Sequence, residues 1–407
     1  MKRRLFFLLF FLMLLLPALS LGVPQDYTSR DKFSLGAFGT VSRLCVFDDF
    51  SDPQANLRFE ALWEETRTVL TTLDALLSLS NPDSELSRFN QLGEGESMAI
   101  SPQTAAVFEK AMELYQLTEG YFNPAVYPLV DLWGFSPRFR NREGPDMPYD
   151  RVWDEENETL PPPDERYRQA FLTQCRFEDI RLTGSDESGW TLTKGIPSVT
   201  VEGRTYPARI DLGGIAKGYA ADLVHEKMQE LGIKWGFFSC GSSSMVLLSN
   251  ANSEARAAQK PEFSLRVRSP RPGAEGPEAY ACLQVRDACL SSSGDYDSNY
   301  LWDGMLCCHI LDPFTGYPLN VVPGSVQEGL CTVTLLSGSA CEDDALTTAL
   351  LLMGRDRARK MLMGPLSDRE AVLVQYRSGS DSYIVLTNLP EDRIKLEDPH
   401  FHLEPLF

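Results

Sequence analysis

Three short segments of this 407-residue chain gather residue types able to do chemistry on phosphate. The first runs Ala208-Arg-Ile-Asp211-Leu-Gly213-Gly214-Ile-Ala-Lys217-Gly218-Tyr219. It reads as a strand, a glycine turn and a helix with Ile215, Tyr219, Leu223 and Leu231 facing inward. Such a turn presents backbone N–H groups and the positive end of a helix to phosphate, and Lys217 adds a point charge. It matches neither the Walker spacing nor GxGxxG with its downstream acid, and a tight turn that needs glycine only for packing fits the same residues. The second segment is His309-Ile310-Leu311-Asp312-Pro313-Phe314-Thr315-Gly316, preceded by Ser293-Gly294-Asp295-Tyr296. Asp, Pro and Gly in that order are turn chemistry, and an imidazole with an ordinary pKa of about 6.5 suits proton transfer near neutrality. A half-buried histidine beside a purely structural turn is the alternative. The third is Glu342-Asp343-Asp344-Ala345-Leu346-Thr347-Thr348, opening an apolar helix that Gly354 is expected to close. Asp344 and Thr348 are four apart and share a helix face. Carboxylate and hydroxyl oxygens are hard ligands suited to Mg²⁺, although acids at a helix start are also ordinary dipole partners.

These segments must be held by a scaffold, and helices and strands alternate along the chain without repeats. Residues 53–80 read as a helix with Leu62, Thr66, Val69, Leu73 and Leu76 on one stripe. A second helix has Ser101 as N-cap, Pro102 at its first position and Gly120 as its stop. Residues 136–168 and 250–277 are polar, charged and Pro-containing, and read as surface excursions. Residues 371–376 and 383–387 flank Ser378-Gly-Ser-Asp381 as a hairpin. The expected fold class is α+β: a single large mixed domain over residues 23–407, with those two insertions. No interior segment is long and apolar enough to cross a membrane.

Composition narrows the chemistry further. The chain has 57 acidic against 38 basic residues, for a net charge of −19, which argues against a nucleic-acid partner. Only four histidines make a His-rich metal site a poor fit. The start, Met1-Lys-Arg-Arg4 followed by an apolar run from Leu5 to Leu16, reads as a signal peptide over residues 1–22. Twelve apolar residues are short for a span, which takes about 20. Cleavage after Gly22 would remove three bases and take the charge from −19 to −22. The first cysteine is Cys45, so no lipoprotein cysteine stands at the cleavage point. The expected location is therefore periplasmic or cell-envelope associated, with the leader acting as an anchor if it is kept. The nine cysteines form no zinc-type cluster and read as small buried hydrophobes.

Taken together, the segments resemble the FAD:protein FMN transferase family, the ApbE-type flavin transferases. The likeness is carried by Asp211 to Gly218, Ser293 to Tyr296, His309 to Gly316 and Asp344 to Thr348. It is supported by Phe38-Gly-Thr40, Ser84 to Asn90, and Gly120-Tyr-Phe-Asn-Pro124 running into Leu132-Trp-Gly-Phe135. The blocks fall in the family's order from about residue 33 to 390. The resemblance implies Mg²⁺-dependent transfer of FMN from FAD to a Ser or Thr hydroxyl of a target redox protein, exported or membrane-bound, with release of AMP. It implies that the glycine turn and Lys217 cradle the pyrophosphate, with Asp211 also on the cofactor. Mg²⁺ would sit on Asp344, Thr348 and the Gly214 carbonyl. Phe38, Tyr121, Phe122, Asn123 and Ile310 match flavin or adenosine contacts. His309 is the expected base, with Asp295 second.

Three departures stand out. Asn123 occupies a position where the family usually has Asp, and Ser80 one that is often aromatic. Cys240-Gly241-Ser242-Ser243-Ser244 replaces a usual Gly-Gly-Asp. An FAD pyrophosphatase yielding FMN and AMP, and a flavin-binding protein without turnover, are the alternative functions.

Overall fold

A computed structural model describes residues 27–136, 149, 154, 159–249, 263–271, 278–322, 329–376 and 382–407. The leader, the tip of the C-terminal hairpin and parts of both excursions lie outside the described residues. Nine strands form the main sheet: β1 (Thr28–Leu35), β2 (Val41–Asp48), β3 (Gly236–Cys240), β4 (Ser244–Leu248), β5 (Ala288–Gly294), β6 (Leu330–Ser337), β7 (Glu370–Tyr376), β8 (Tyr383–Thr387) and β9 (Phe401–Pro405). Their order in the sheet is their order in the chain. Every neighbouring pair is antiparallel except β8 and β9.

Alternation along these strands builds a core on each face. Leu44, Val46, Phe238, Val246, Leu335 and Leu373 face the helices. Cys45, Phe47, Phe237, Leu247 and Val372 face a small sheet of strands Phe263–Arg268, Ala279–Val285 and Ile394–Leu396, through Phe263, Leu265, Tyr280 and Leu283. A satellite core gathers Leu129, Trp133, Leu160, Tyr167, Phe171, Tyr300 and Leu311.

Seven α-helices are present among the described residues: α1 (Pro53–Leu77), α2 (Glu85–Gln91), α3 (Pro102–Leu117), α4 (Tyr127–Leu132), α5 (Glu165–Leu172), α6 (Ala216–Glu230) and α7 (Ala340–Met363). Asp52 caps α1 by accepting from Gln54 N, and Ser101 caps α3 by accepting from Thr104 N. Each starts with proline at a position whose N–H would have no helical partner. Gly120, at φ 82°, terminates α3 by donating to the Tyr115 carbonyl at 2.8 Å. None of the described helices is long and apolar enough to cross a membrane.

Four expectations change. Gly354 does not close α7; it takes φ 70°, kinks the helix, and α7 resumes to Met363. Residues 208–212 form no strand, because their backbone groups bond to partners outside any sheet ladder, as described below. The 136–168 excursion contributes buried Leu160 and Tyr167, and α5 begins inside it. The 250–277 excursion contains the strand Phe263–Arg268, whose Phe263 and Leu265 enter the second core despite the charges around them. All nine cysteines are free thiols and seven are buried, consistent with their reading as small hydrophobes.

Helices α6 and α7 pack against each other at Gly218, where a Cβ would stand 2.2 Å from the Ala340 carbonyl oxygen and 2.8 Å from Cys341 Cα. Gly218→Ala should therefore destabilise the fold by about 1–3 kcal/mol despite alanine's better helix propensity. Urea unfolding checks this, and an unchanged midpoint would mean that the helices separate without cost.

Candidate active site

The glycine turn is held by side chains. Ala208, Ile210 and Leu212 are buried in alternation, yet their neighbour is Asn90 of α2. Asn90 Oδ1 accepts from Ile210 N at 2.8 Å and Asn90 Nδ2 donates to Ile210 O at 2.9 Å, as a strand partner would. Asp211 N donates to Pro124 O at 3.0 Å. Lys194, only 2% exposed, donates to Asn90 O and Leu92 O and so closes the C-terminus of α2. Burial and nearby Arg209 push its pKa down to about 8. Neither residue is marked in the sequence by type or spacing as part of a site; Asn90 falls in the Ser84–Asn90 segment, and nothing local marks Lys194.

Beyond this clamp, Asp211 Oδ1 accepts from Gly213 N at 2.9 Å, and burial raises the pKa of the carboxyl. Helix α6 then starts at Ile215 without a side-chain cap. Lys217 Nζ donates to Gly213 O at 2.5 Å and lies 3.5 Å from Asp344 Oδ2, which also accepts from Gly218 N at 3.2 Å. Burial alone would lower the Lys217 pKa, but Asp344 and Asp211 hold it above its usual value and keep the ammonium charged. The predicted phosphate cradle and the predicted metal carboxylate thus meet at one junction.

Asp344 is 3% exposed, and its Oδ1 accepts from no donor among the described residues. Thr348, one turn along α7, has its hydroxyl 3.1 Å from Ser293 Oγ, which also lies 2.9 Å from Thr347 Oγ1. Ser293, part of the Ser293–Tyr296 segment, is thereby the brace of Thr348, a role its sequence context does not signal. Among the described residues no three His, Cys, Asp or Glu could together hold a metal. A Mg²⁺ site built from one carboxylate, one hydroxyl and the Gly214 carbonyl, completed by water and phosphate, requires no such trio. The unbonded Oδ1 on a buried carboxylate fits that donor set.

One aromatic ring lies against the turn, and others stand on the segments around it. Phe122 is buried, with its Cε2 3.5 Å from the point where a Cβ on Gly214 would stand. Tyr121 accepts from Arg357 at 2.7 Å and packs edge-to-face with Phe314, ring centroids 4.8 Å apart, which joins the 312–316 turn to this segment. Phe38 sits in left-handed backbone at φ 54°, its N–H held by Asp74 Oδ1 at 2.8 Å. A non-glycine residue there carries strain of about 1–3 kcal/mol, which the surrounding contacts must offset.

The turn forms as expected: Asp312 Oδ1 accepts from Phe314 N at 2.8 Å, and Gly316 N bonds back to Asp312 O. Trp133 Nε1 donates to Gly316 O at 2.8 Å, and Arg168 of α5 donates to Thr315 O. Ile310 is buried and its carbonyl accepts from Leu319 N. His309 Nδ1 lies 2.9 Å from the Asp297 carbonyl. A carbonyl only accepts, so Nδ1 carries a proton, and in the neutral ring the lone pair would be on Nε2. Asp295 is 1% exposed; both its oxygens bond Arg271 at 2.8 Å, and Oδ2 also accepts from Tyr376. Burial outweighs Arg271 and raises its pKa to about 6.

The sequence model of the ApbE family matches residues 38–373, a span that contains every candidate catalytic, cofactor-binding and metal residue. The chain belongs to the ApbE family. Curated relatives named FAD:protein FMN transferase include one from Vibrio cholerae serotype O1, 31% identical and covering 72% of this chain and 75% of its own. Another, from Haemophilus influenzae, is 30% identical and covers 84% and 86%. The ApbE flavin transferase structure from Vibrio cholerae superposes with TM-score 0.65 at 24% identity, over 89% of this chain and 97% of that one. The apo flavinyl transferase from Pseudomonas stutzeri gives 0.66 at 20% identity, over 89% and 95%. At those identities the structures speak for the fold: a mixed helix-and-sheet domain of the ApbE kind.

Within this ApbE chain, the Asn123 departure has a local cause. Asn123 Oδ1 accepts from Ala125 N at 2.9 Å, while its Nδ2 donates to the Cys175 carbonyl at 3.1 Å. A carboxylate keeps the first bond and sets two acceptors against each other in the second. Asn123→Asp should cost about 1–3 kcal/mol of stability near neutrality. Thermal unfolding of the two proteins checks this; an equal or higher midpoint for the aspartate would show that the Cys175 bond contributes nothing.

Proposed function

We propose that this protein transfers FMN from FAD to a Ser or Thr hydroxyl of a redox protein, exported or membrane-bound, and releases AMP. The junction of Lys217, Asp344 and Gly218 N at the mouth of the glycine turn carries the reading. It puts a held ammonium and a buried carboxylate with one open oxygen beside an uncapped helix start, as a diphosphate with a metal requires. Lys217 and the turn's backbone N–H groups orient the diphosphate, and Tyr121, Phe122 and Phe38 supply the walls for the ring systems. The acceptor hydroxyl oxygen forms a bond to the phosphorus of the FMN half, and the bond from that phosphorus to the bridging oxygen breaks. AMP leaves with that oxygen, while His309 Nε2 takes the hydroxyl proton. Asp344, Thr348 and Gly214 would hold Mg²⁺, which when bound neutralises charge building on the phosphoryl oxygens.

Asp295 serves better as a support than as a base, since Arg271 and Tyr376 occupy its oxygens. The charge of −19 makes local positive groups a requirement for binding a diphosphate. The basic-then-apolar start supports an exported location in the cell envelope. Separation of products after incubation with FAD, with Mg²⁺ or a chelator, tests the reading. AMP formation that requires Mg²⁺ is expected; FAD left intact with Mg²⁺ and a candidate acceptor domain would overturn it.

A further inference from the structure

We propose that Asp222 is the positioning residue that sets the metal-ligand helix α7 against the phosphate-cradling helix α6; this rests on the metal reading above. Asp222 lies on α6, one turn after Gly218. Its Oδ1 accepts from Ala340 N at 2.7 Å, and its Oδ2 accepts from Ser339 Oγ at 2.7 Å and Cys341 N at 3.0 Å. Three donors at the start of α7 thus converge on one carboxylate from a different helix. Helix α7 already has its own cap, since Ser339 Oγ accepts from Glu342 N at 3.2 Å. Local capping therefore leaves Asp222 unexplained.

The return contact explains it. One turn into α7, Asp344 Oδ2 accepts from Gly218 N at 3.2 Å. Each helix sends a carboxylate to the other's backbone, from residues four apart on both: 218 and 222 on α6, 340 and 344 on α7. Gly218 permits the approach, because a Cβ there would lie 2.2 Å from Ala340 O. These four bonds and one close contact fix sliding and rotation of α7 relative to α6. That register holds Lys217 Nζ 3.5 Å from Asp344 Oδ2 and leaves Oδ1 open. Without Asp222 the first turn of α7 loses its interhelical anchor, and Asp344 and Thr348 lose their fixed place relative to the glycine turn.

The test compares the full chain with Asp222→Asn, an isosteric change that removes the charge and points an amide donor at backbone donors. The readouts are the Mg²⁺ dependence of the melting temperature with FAD bound, and FAD affinity in chelator from flavin fluorescence. Supporting residues of metal ligands typically carry 10–100-fold in metal affinity, so the Mg²⁺ midpoint should rise about 10-fold or more while FAD affinity in chelator stays within about twofold. Ser101→Ala, which removes the cap of α3 and whose hydroxyl bonds only Glu85 and Thr104 among the described residues, should lower stability and leave the Mg²⁺ midpoint alone. If Asp222→Asn does not fold, Ser339→Ala removes one of the three donors and should shift the midpoint the same way by less. A folded Asp222→Asn protein with the parent's Mg²⁺ midpoint overturns the proposal, as does an equal loss of Mg²⁺ and FAD affinity. A parent protein whose melting and turnover ignore Mg²⁺ overturns the metal reading itself.

Discussion

Asp344→Ala should reduce FAD turnover by about a thousandfold or more, the equivalent of roughly 4 kcal/mol of lost transition-state stabilisation. The side chain has two jobs that the substitution separates. Its Oδ2 holds Gly218 N and faces Lys217, so alanine leaves a buried N–H without its partner and an ammonium without its counter-charge. That should cost about 1–3 kcal/mol of stability, which a domain with two sheet-face cores tolerates. Its Oδ1 is the open oxygen proposed to hold Mg²⁺, and losing it would remove the cation that neutralises charge building on the breaking diphosphate. Asp344→Asn keeps the shape and one acceptor oxygen, so it should fold nearly as well as the parent and still turn over poorly. Mg²⁺ titration of AMP release checks both variants; full activity with Mg²⁺ in Asp344→Ala would end the metal assignment.

His309→Ala should slow the chemical step by about 10²–10⁴, the usual contribution of a positioned base, while FAD affinity changes by less than about threefold. The asymmetry follows from the geometry. Nδ1 is committed to the Asp297 carbonyl, so the ring is oriented through the protein rather than through FAD. A histidine that served mainly to bind FAD would lose affinity and rate together. Single-turnover measurements beside FAD titration separate the two results, and matched losses would make His309 a binding residue. The neighbouring Asp295 should behave differently from a base. Its carboxylate is shared by Arg271 and Tyr376, and its replacement should loosen the segment that supplies the Asp297 carbonyl.

Much of the site was legible in the sequence because its determinants are local. The Asp312 turn is an Asx turn followed by glycine, and the caps of α1 and α3 are Asp or Ser followed by proline; each depends on neighbours within a few residues. The spacing of Asp344 and Thr348 fixed a shared helix face before any fold was known. What escaped depends on partners far along the chain. Residues 208–212 alternate like a strand, but their partner is the Asn90 amide, which periodicity cannot reveal. Gly354 looked like a helix stop because glycine usually is one; continued burial of Ala358 and Leu362 carries α7 past the kink. Polar composition hid Leu160 and Tyr167 in the first excursion and Phe263 in the second, since few apolar residues at the right spacing suffice to dock a short element. The bidentate grip of Arg271 on Asp295 joins two segments with no local signature, so the carboxylate looked available as a base.

In our proposal the junction at Lys217 and Asp344 serves transfer to a protein hydroxyl. It is tested most directly by incubating the protein with FAD, Mg²⁺ and a candidate acceptor domain, then scanning the denatured acceptor band for flavin fluorescence while quantifying AMP. The account predicts fluorescence that survives denaturation, AMP in equal amount, and loss of both with Asp344→Ala. Free FMN with AMP and an unlabelled acceptor, across acceptors with exposed Ser or Thr, would contradict it and make the protein an FAD hydrolase.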